Sequence, residues 1–179
     1  LYSDHGVSIF SEQPYIVDPF LTGATWMMRG AGVPAAGIVH DLTSSVDIYP
    51  TLGKLCGFPV ADDIDGRLPA VFGGTARDAV YSSSQYPGQT YKLAVRTHEH
   101  TLRLETREVV DEDGTVDFAD ARVNIYPRAH ELEEGYELDS AELRAFFYPR
   151  ARDFVREIAN NSEFWPAMRK ARPEWFGVK

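Results

Sequence analysis

Ser45-Val46-Asp47-Ile48-Tyr49-Pro50-Thr51-Leu52, running on to Leu55-Cys56-Gly57, is the stretch whose reading decides the fold. Asp47 is the best-placed N-cap, because Pro50 is tolerated only in the first helical turn, where its missing N–H costs nothing. Ile48, Thr51, Leu52 and Leu55 then form an apolar stripe, and Gly57 stops the helix. Cys56 falls on the apolar side and reads as a small buried hydrophobe.

Upstream, Leu1-Tyr2 reads as the tail of a strand entering Ser3-Asp4-His5-Gly6. Residues 6–22 hold Pro14 and Pro19 without sustained periodicity and read as a long loop, a length uncommon in compact domains unless functional. The short apolar run Ala24-Thr25-Trp26-Met27-Met28 reads as a buried strand, ended by the turn Arg29-Gly30-Ala31-Gly32-Val33-Pro34. Downstream, Asp62-Asp63-Ile64-Asp65-Gly66 is a polar loop. From residue 79 the period changes. Ala79–Ser82, Lys92–Arg96 and Thr101–Thr106 alternate like strands with one solvated face, with Thr97-His98-Glu99-His100 as the hairpin turn. Asp111-Glu112-Asp113-Gly114 is a further turn. After Ser140 a helical face returns through Leu143, Phe147, Phe154, Val155 and Ile158, with a kink or split expected at Pro149. Ser162 is a candidate cap for a last short helix containing Phe164, Trp165 and Met168. This order predicts an α/β core over residues 1–75 and a smaller α+β subdomain, an antiparallel sheet plus helix, over 76–179.

Composition narrows the function. Of 179 residues, 44% are hydrophobic and 25% charged, with a net charge of −9. These values suit a globular chain and not a disordered one. No apolar run reaches the roughly 18 residues of a membrane span. An acidic chain without a basic patch is a poor match for nucleic acid. One cysteine cannot form an internal disulfide. Residue 1 is Leu, so the numbering is expected to begin at a processed or cut end, and the compartment stays open.

Ser3-Asp4-His5-Gly6 is the sharpest chemical feature. A carboxylate beside an imidazole, on a turn at a strand's carboxyl end, presents two ligands to one divalent ion. A hard anionic oxygen with a neutral nitrogen suits Mn²⁺ or Zn²⁺ and is tolerated by Ca²⁺. On spacing alone, an Asp-His-Gly tripeptide is more often simply a turn.

The tetrad resembles the Ser-Asp-(His/Asn)-Gly signature of the sulfatases, within the alkaline-phosphatase-like superfamily. The segment Ser45–Leu52 with Leu55-Cys56-Gly57 resembles that family's "VDIYPTLLxLAG" helix. Asp65-Gly66-Arg67-Leu68-Pro69 resembles its "DGxSLLP" stretch, and Ala94-Val95-Arg96-Thr97 its "AVRT" strand. The four matches keep the family's order over roughly residues 2–97. The resemblance implies the C-terminal part of an alkaline-phosphatase-like fold in a sulfuric ester hydrolase. It implies a divalent cation, Ca²⁺ favoured and Mn²⁺ or Zn²⁺ as alternatives, with Asp4 and His5 as ligands. The substrate implied is a sulfate- or phosphate-ester small molecule or glycan. Because that strand lies near the cleft in relatives, Arg96 is a candidate substrate-binding residue, set against a structural ion pair.

Two departures qualify what the resemblance implies. The family's formylglycine motif "CxPSR" and its N-terminal carboxylate pair are absent, so no catalytic nucleophile is assigned in this chain, which is not expected to act alone. The sulfate-binding Lys of the loop after the metal motif has no counterpart, since no Lys or Arg occurs between His5 and Arg29; Glu12, Gln13 and Tyr15 fall near its place. A phosphodiesterase or phosphonate monoester hydrolase of the same superfamily is therefore the alternative, and a non-catalytic interaction module the third reading. A core of two strands and one helix cannot cover both faces of a parallel sheet. Trp26, Met27, Met28 and the helix stripe are then expected to be partly exposed, which predicts a missing N-terminal half, a partner chain or self-association.

The remaining candidates read as structure. His98 and His100 fit solvated turn residues better than ligands, His40-Asp41 a local cap, and His130 an acidic solvated face. Trp165 and Trp175 read as packing for the terminal helix.

Overall fold

Four strands in the order β1-β2-β3-β4 form one sheet: β1 (Val80–Ser84), β2 (Thr90–Arg96), β3 (His100–Val109) and β4 (Ala121–Pro127). They belong to a computed structural model that describes residues 1–7, 17–85, 89–109, 116–160, 167 and 170–172. The expected turn at 111–114, the tryptophans Trp165 and Trp175, most of the last short helix, and Glu12, Gln13 and Tyr15 lie outside these residues. The chain is mixed α/β and divides into two compact units, Leu1–Val80 and Tyr81–Lys179.

In the second unit, β2 and β3 pair antiparallel with Leu93 opposite Leu104 and Val95 opposite Leu102. β3 and β4 continue the ladder, with Leu102 opposite Ile125. The hairpin closes at Thr97, whose N–H donates to the His100 carbonyl at 2.9 Å. The alternation read in the sequence therefore became a meander. The expected solvated face did not: Leu93, Ala94, Val95 and Arg96 are successive and all buried, so both faces of β2 are covered. Ser140 caps α3 (Ala141–Phe154) by accepting from the Leu143 N–H at 3.3 Å. Phe147, Ala151 and Val155 are its buried side, and Phe154 stacks on Tyr81 with ring centroids 4.9 Å apart. Pro149 does not split α3, which runs on through it to Phe154. The irregularity comes later, as a π-helical turn over Val155–Ala159. Ile158, expected inside, is exposed.

The first unit is built differently. It holds the short helix α1 (Pro19–Thr22), a 3-10 turn at Ser45–Asp47, and α2 (Ile48–Cys56), which ends at Gly57 with φ 73°. The core sheet expected over residues 1–75 is represented, among the described residues, by one antiparallel bridge between Tyr2 and Trp26. Ala24–Met28 is accordingly not a buried strand: Met27 is 59% exposed and Trp26 and Met28 are half-buried. The stripe on α2 is also corrected. Its buried residues are Pro50, Thr51 and Gly53, while Leu52 and Tyr49 face solvent. Gly53 explains the choice, because a Cβ there would lie 2.2 Å from Val60 Cγ2. The returning chain packs directly on that side of the helix. Cys56, read as buried, is exposed in the last turn. Apart from Tyr136 and Ile158, every strongly exposed large hydrophobic among the described residues lies in this first unit.

Candidate functional site: the Asp4–His5 pair

Ser3-Asp4-His5-Gly6 is held at its two ends. The Ser3 N–H donates to the Thr25 carbonyl at 2.9 Å, and the Ser3 hydroxyl accepts from the Thr25 N–H at 2.8 Å. At the other end the Gly6 N–H donates to the Leu21 carbonyl at 2.8 Å. Glycine is required there by close approach, since a Cβ would sit 1.9 Å from the Phe20 carbonyl oxygen. Helix α1, which supplies these carbonyls, is itself capped by Asp18, whose carboxylate accepts from the Leu21 N–H at 2.7 Å.

Between these anchors the two middle side chains face solvent, with Asp4 86% and His5 61% exposed. Asp4 Oδ1 accepts from the His5 N–H at 3.0 Å, and Asp4 Oδ2 lies 3.6 Å from His5 Nε2. His5 Nδ1 lies 2.6 Å from the Gly6 carbonyl oxygen. A carbonyl only accepts, so Nδ1 carries the proton in that bond. In neutral His5 the Nε2 lone pair is then the one presented beside the carboxylate.

This donor set fits a divalent cation. Ligand bonds of about 2.0–2.4 Å at angles between tetrahedral and octahedral values separate two donors by about 3–4 Å. The 3.6 Å between Oδ2 and Nε2 falls in that span. Among the described residues, no group of three His, Cys, Asp or Glu side chains gathers at one point. The pair is two donors, and further ligands would have to come from elsewhere.

Arg96 takes a different role from the substrate-binding one considered for it. Its side chain is buried and donates to Glu131 from Nε at 3.0 and 3.1 Å and from Nη2 at 2.7 Å. Ser82 Oγ lies 3.4 Å from Nη1. Glu131 also accepts from the Thr101 hydroxyl. This is the structural ion pair that stood as the other reading of Arg96, a guanidinium held by a carboxylate in a dry place.

Asp47, at the heart of the deciding helix, does not cap α2. Its buried carboxylate turns back to accept from the Ser44 N–H at 2.9 Å and the Arg67 N–H at 2.8 Å, and pairs with Arg77. Burial alone would raise its pKa. The hydrogen bonds from Arg77, Arg67 and Ser44 and the Arg77 charge outweigh that and lower it. Sequence reasoning missed this partnership, since 30 residues separate Asp47 from Arg77. The Asp65-Gly66-Arg67 motif has its reason here too: a Cβ on Gly66 would meet the Val46 carbonyl at 2.2 Å.

Of the histidines, His98 is exposed and His100 half-buried at the hairpin, and His40 with Asp41 lies in an exposed loop. Ser44 is the N-cap of the 3-10 turn that leads into α2, in a capping box with Asp47. The imidazole of His130 stacks on Tyr136 at 4.1 Å and pairs with Glu133 at 2.9 Å. No helix is long and apolar enough to cross a membrane, among the described residues. Neither a protein-family model nor a curated protein matches this chain.

Proposed function

We propose that this chain carries the metal-holding tetrad of a sulfatase-like sulfuric ester hydrolase with an alkaline-phosphatase-like fold. The observation that carries the reading is the division of labour within the tetrad. Ser3 and Gly6 are tied into the backbone, whereas Asp4 and His5 keep exposed donor atoms 3.6 Å apart. Four segments in the family's order support it from the sequence. Asp4 would bring an anionic oxygen that offsets part of the ion's charge. His5 would bring a neutral nitrogen through Nε2, its tautomer fixed by the Gly6 carbonyl. When bound, a divalent cation, Ca²⁺ before Mn²⁺ or Zn²⁺, supplies polarisation of the ester's S–O bond. The substrate class is a sulfate-ester small molecule or glycan, and no residue of this chain is assigned as the nucleophile.

A second reading is favoured by one observation. No Lys or Arg lies between His5 and Arg29, so the cation expected to bind a sulfate group in that loop is missing. A phosphodiester or phosphonate monoester is then the substrate. Elemental analysis of the purified protein beside its Asp4→Ala and His5→Ala variants tests the metal. We expect a divalent ion in the parent and its loss in both variants; unchanged metal content would sink the assignment. In a longer protein that supplies the nucleophile, turnover of 4-nitrophenyl sulfate against bis(4-nitrophenyl) phosphate decides between the two ester classes.

A further inference from the structure

Resting on the metal reading above, we propose that Ser3 is the positioning residue of the site, setting the Asp4–His5 donor geometry without touching the ion. One stretch of chain, residues 18–25, grips the tetrad at both ends. Thr25 holds Ser3 through two hydrogen bonds, and Leu21, in a helical turn capped by the fully buried Asp18, holds Gly6. The Gly6 anchor is enforced twice, by its N–H and by close approach to the Phe20 carbonyl. At the Ser3 end, the backbone bond to Thr25 survives any substitution that keeps an N–H, so the hydroxyl is the removable half of the clamp. Asp4 follows Ser3 directly; its Oδ1 accepts from the His5 N–H at 3.0 Å, and its Oδ2 lies 3.6 Å from His5 Nε2. Without the hydroxyl the Thr25 N–H loses this acceptor and the chain entering Asp4 is held by backbone bonds alone, so the spacing of the two donors loosens. Groups that orient metal ligands in this way change affinity by about 10- to 100-fold when removed.

Three variants of the whole chain test it: Ser3→Ala, which loses the acceptor for the Thr25 N–H; Ser3→Thr, which keeps it; and Ser3→Cys, whose thiol is a weak acceptor. Mn²⁺ alone is the probe, by calorimetric titration. The metal-free readout is the ¹⁵N spectrum of the His5 imidazole at pH 8, which distinguishes the two neutral tautomers. We expect the parent and Ser3→Thr to hold the Nδ1–H form and bind Mn²⁺ alike. Ser3→Ala should show mixed tautomers and at least tenfold weaker binding, with thermal midpoint little changed. Should Ser3→Ala fail to fold, Ser3→Cys carries the same comparison. A parent tautomer and parent affinity in the acceptor-deficient variant would overturn the proposal, as would failure of Ser3→Thr to restore them. If the parent binds no Mn²⁺ yet the tautomer shifts as described, the metal reading falls and the positioning role of Ser3 stands.

Discussion

Arg77 grips Asp47 with two guanidinium nitrogens, Nε at 2.9 Å from Oδ2 and Nη2 on Oδ1, and continues to the Asp65 carbonyl at 3.1 Å. Both side chains are largely withdrawn from solvent. With the Ser44 and Arg67 N–H groups, this pair fastens the start of α2 to two later turns of the first unit. Removing one partner of a buried pair leaves the other uncompensated, at about 3–5 kcal/mol. Asp47→Asn and Arg77→Met should each lower the urea midpoint, and the double variant should cost less than the sum of the two. The pH dependence follows from the lowered pKa of Asp47. A carboxylate whose folded pKa lies below its unfolded value, about 3.9, stabilises fully above that value. The contribution fades as pH falls through the folded pKa. Stability measured from pH 6 to pH 2 should thus fall more steeply in the parent than in Asp47→Asn. Parallel curves would remove Asp47 from the account.

The Arg96–Glu131 pair makes the same kind of claim about the second unit. Glu131 accepts from Arg96 and Thr101, and its own backbone carbonyl accepts from Arg103 Nη1 at 2.9 Å. Arg96→Lys keeps the charge and loses the fork that engages both carboxylate oxygens. Glu131→Gln should cost about 3–5 kcal/mol, and Arg96→Lys should cost less than Arg96→Ala. For a chain of this size about 2–4 °C of thermal midpoint accompanies each kcal/mol. Equal midpoints for Arg96→Ala and the parent would reopen a ligand-facing role for this arginine.

The π-helical turn after α3 delivers Asn160 to Val116. The Val116 N–H donates to Asn160 Oδ1 at 2.7 Å, and Asn160 Nδ2 donates to the Val116 carbonyl at 2.8 Å. A side-chain amide stands in for a neighbouring strand. Asn160→Ala strands both backbone groups beside a buried valine, at about 1–3 kcal/mol. Asn160→Asp keeps the acceptor and loses the donor, so it should fall between Ala and Asn. Hydrogen exchange at the Val116 amide reads this bond directly, and should quicken in Asn160→Ala.

Local patterns in the sequence carried the three strands of period two, the hairpin at Thr97–His100, the stop at Gly57 and the helix that follows Ser140, because each is decided within a few residues. β4 was missed although Ala121-Arg122-Val123-Asn124-Ile125 alternates apolar and polar residues: the run is short, and pairing with β3 carries the strand on to Pro127. The buried side of α2 was misread because the returning Val60, and not the helix's own hydropathy, selects Gly53. Pro149 lies on the exposed side of α3, where solvent can serve the carbonyl it leaves without a donor. In the candidate site the adjacency of Asp4 and His5 was legible. The roles of Ser3 and Gly6 were not, since their partners lie 22 and 15 residues away.

The contrast between the two units bears directly on where a lost side chain costs most. Leu104 is fully buried, facing Leu93 across the ladder, whereas Leu52 is 40% exposed on α2 despite its place in the apolar stripe. Deleting a buried leucine removes transfer energy and leaves a cavity, about 2–5 kcal/mol. Trimming an exposed one changes stability by about 0.5 kcal/mol or less. Leu104→Ala should therefore bring the urea midpoint down sharply, and Leu52→Ala should leave it within error of the parent. A large loss at Leu52 would mean that its side chain is covered in the protein as it exists in solution. The apolar surface of the first unit, Met27 and Tyr49 included, would then belong to an interface.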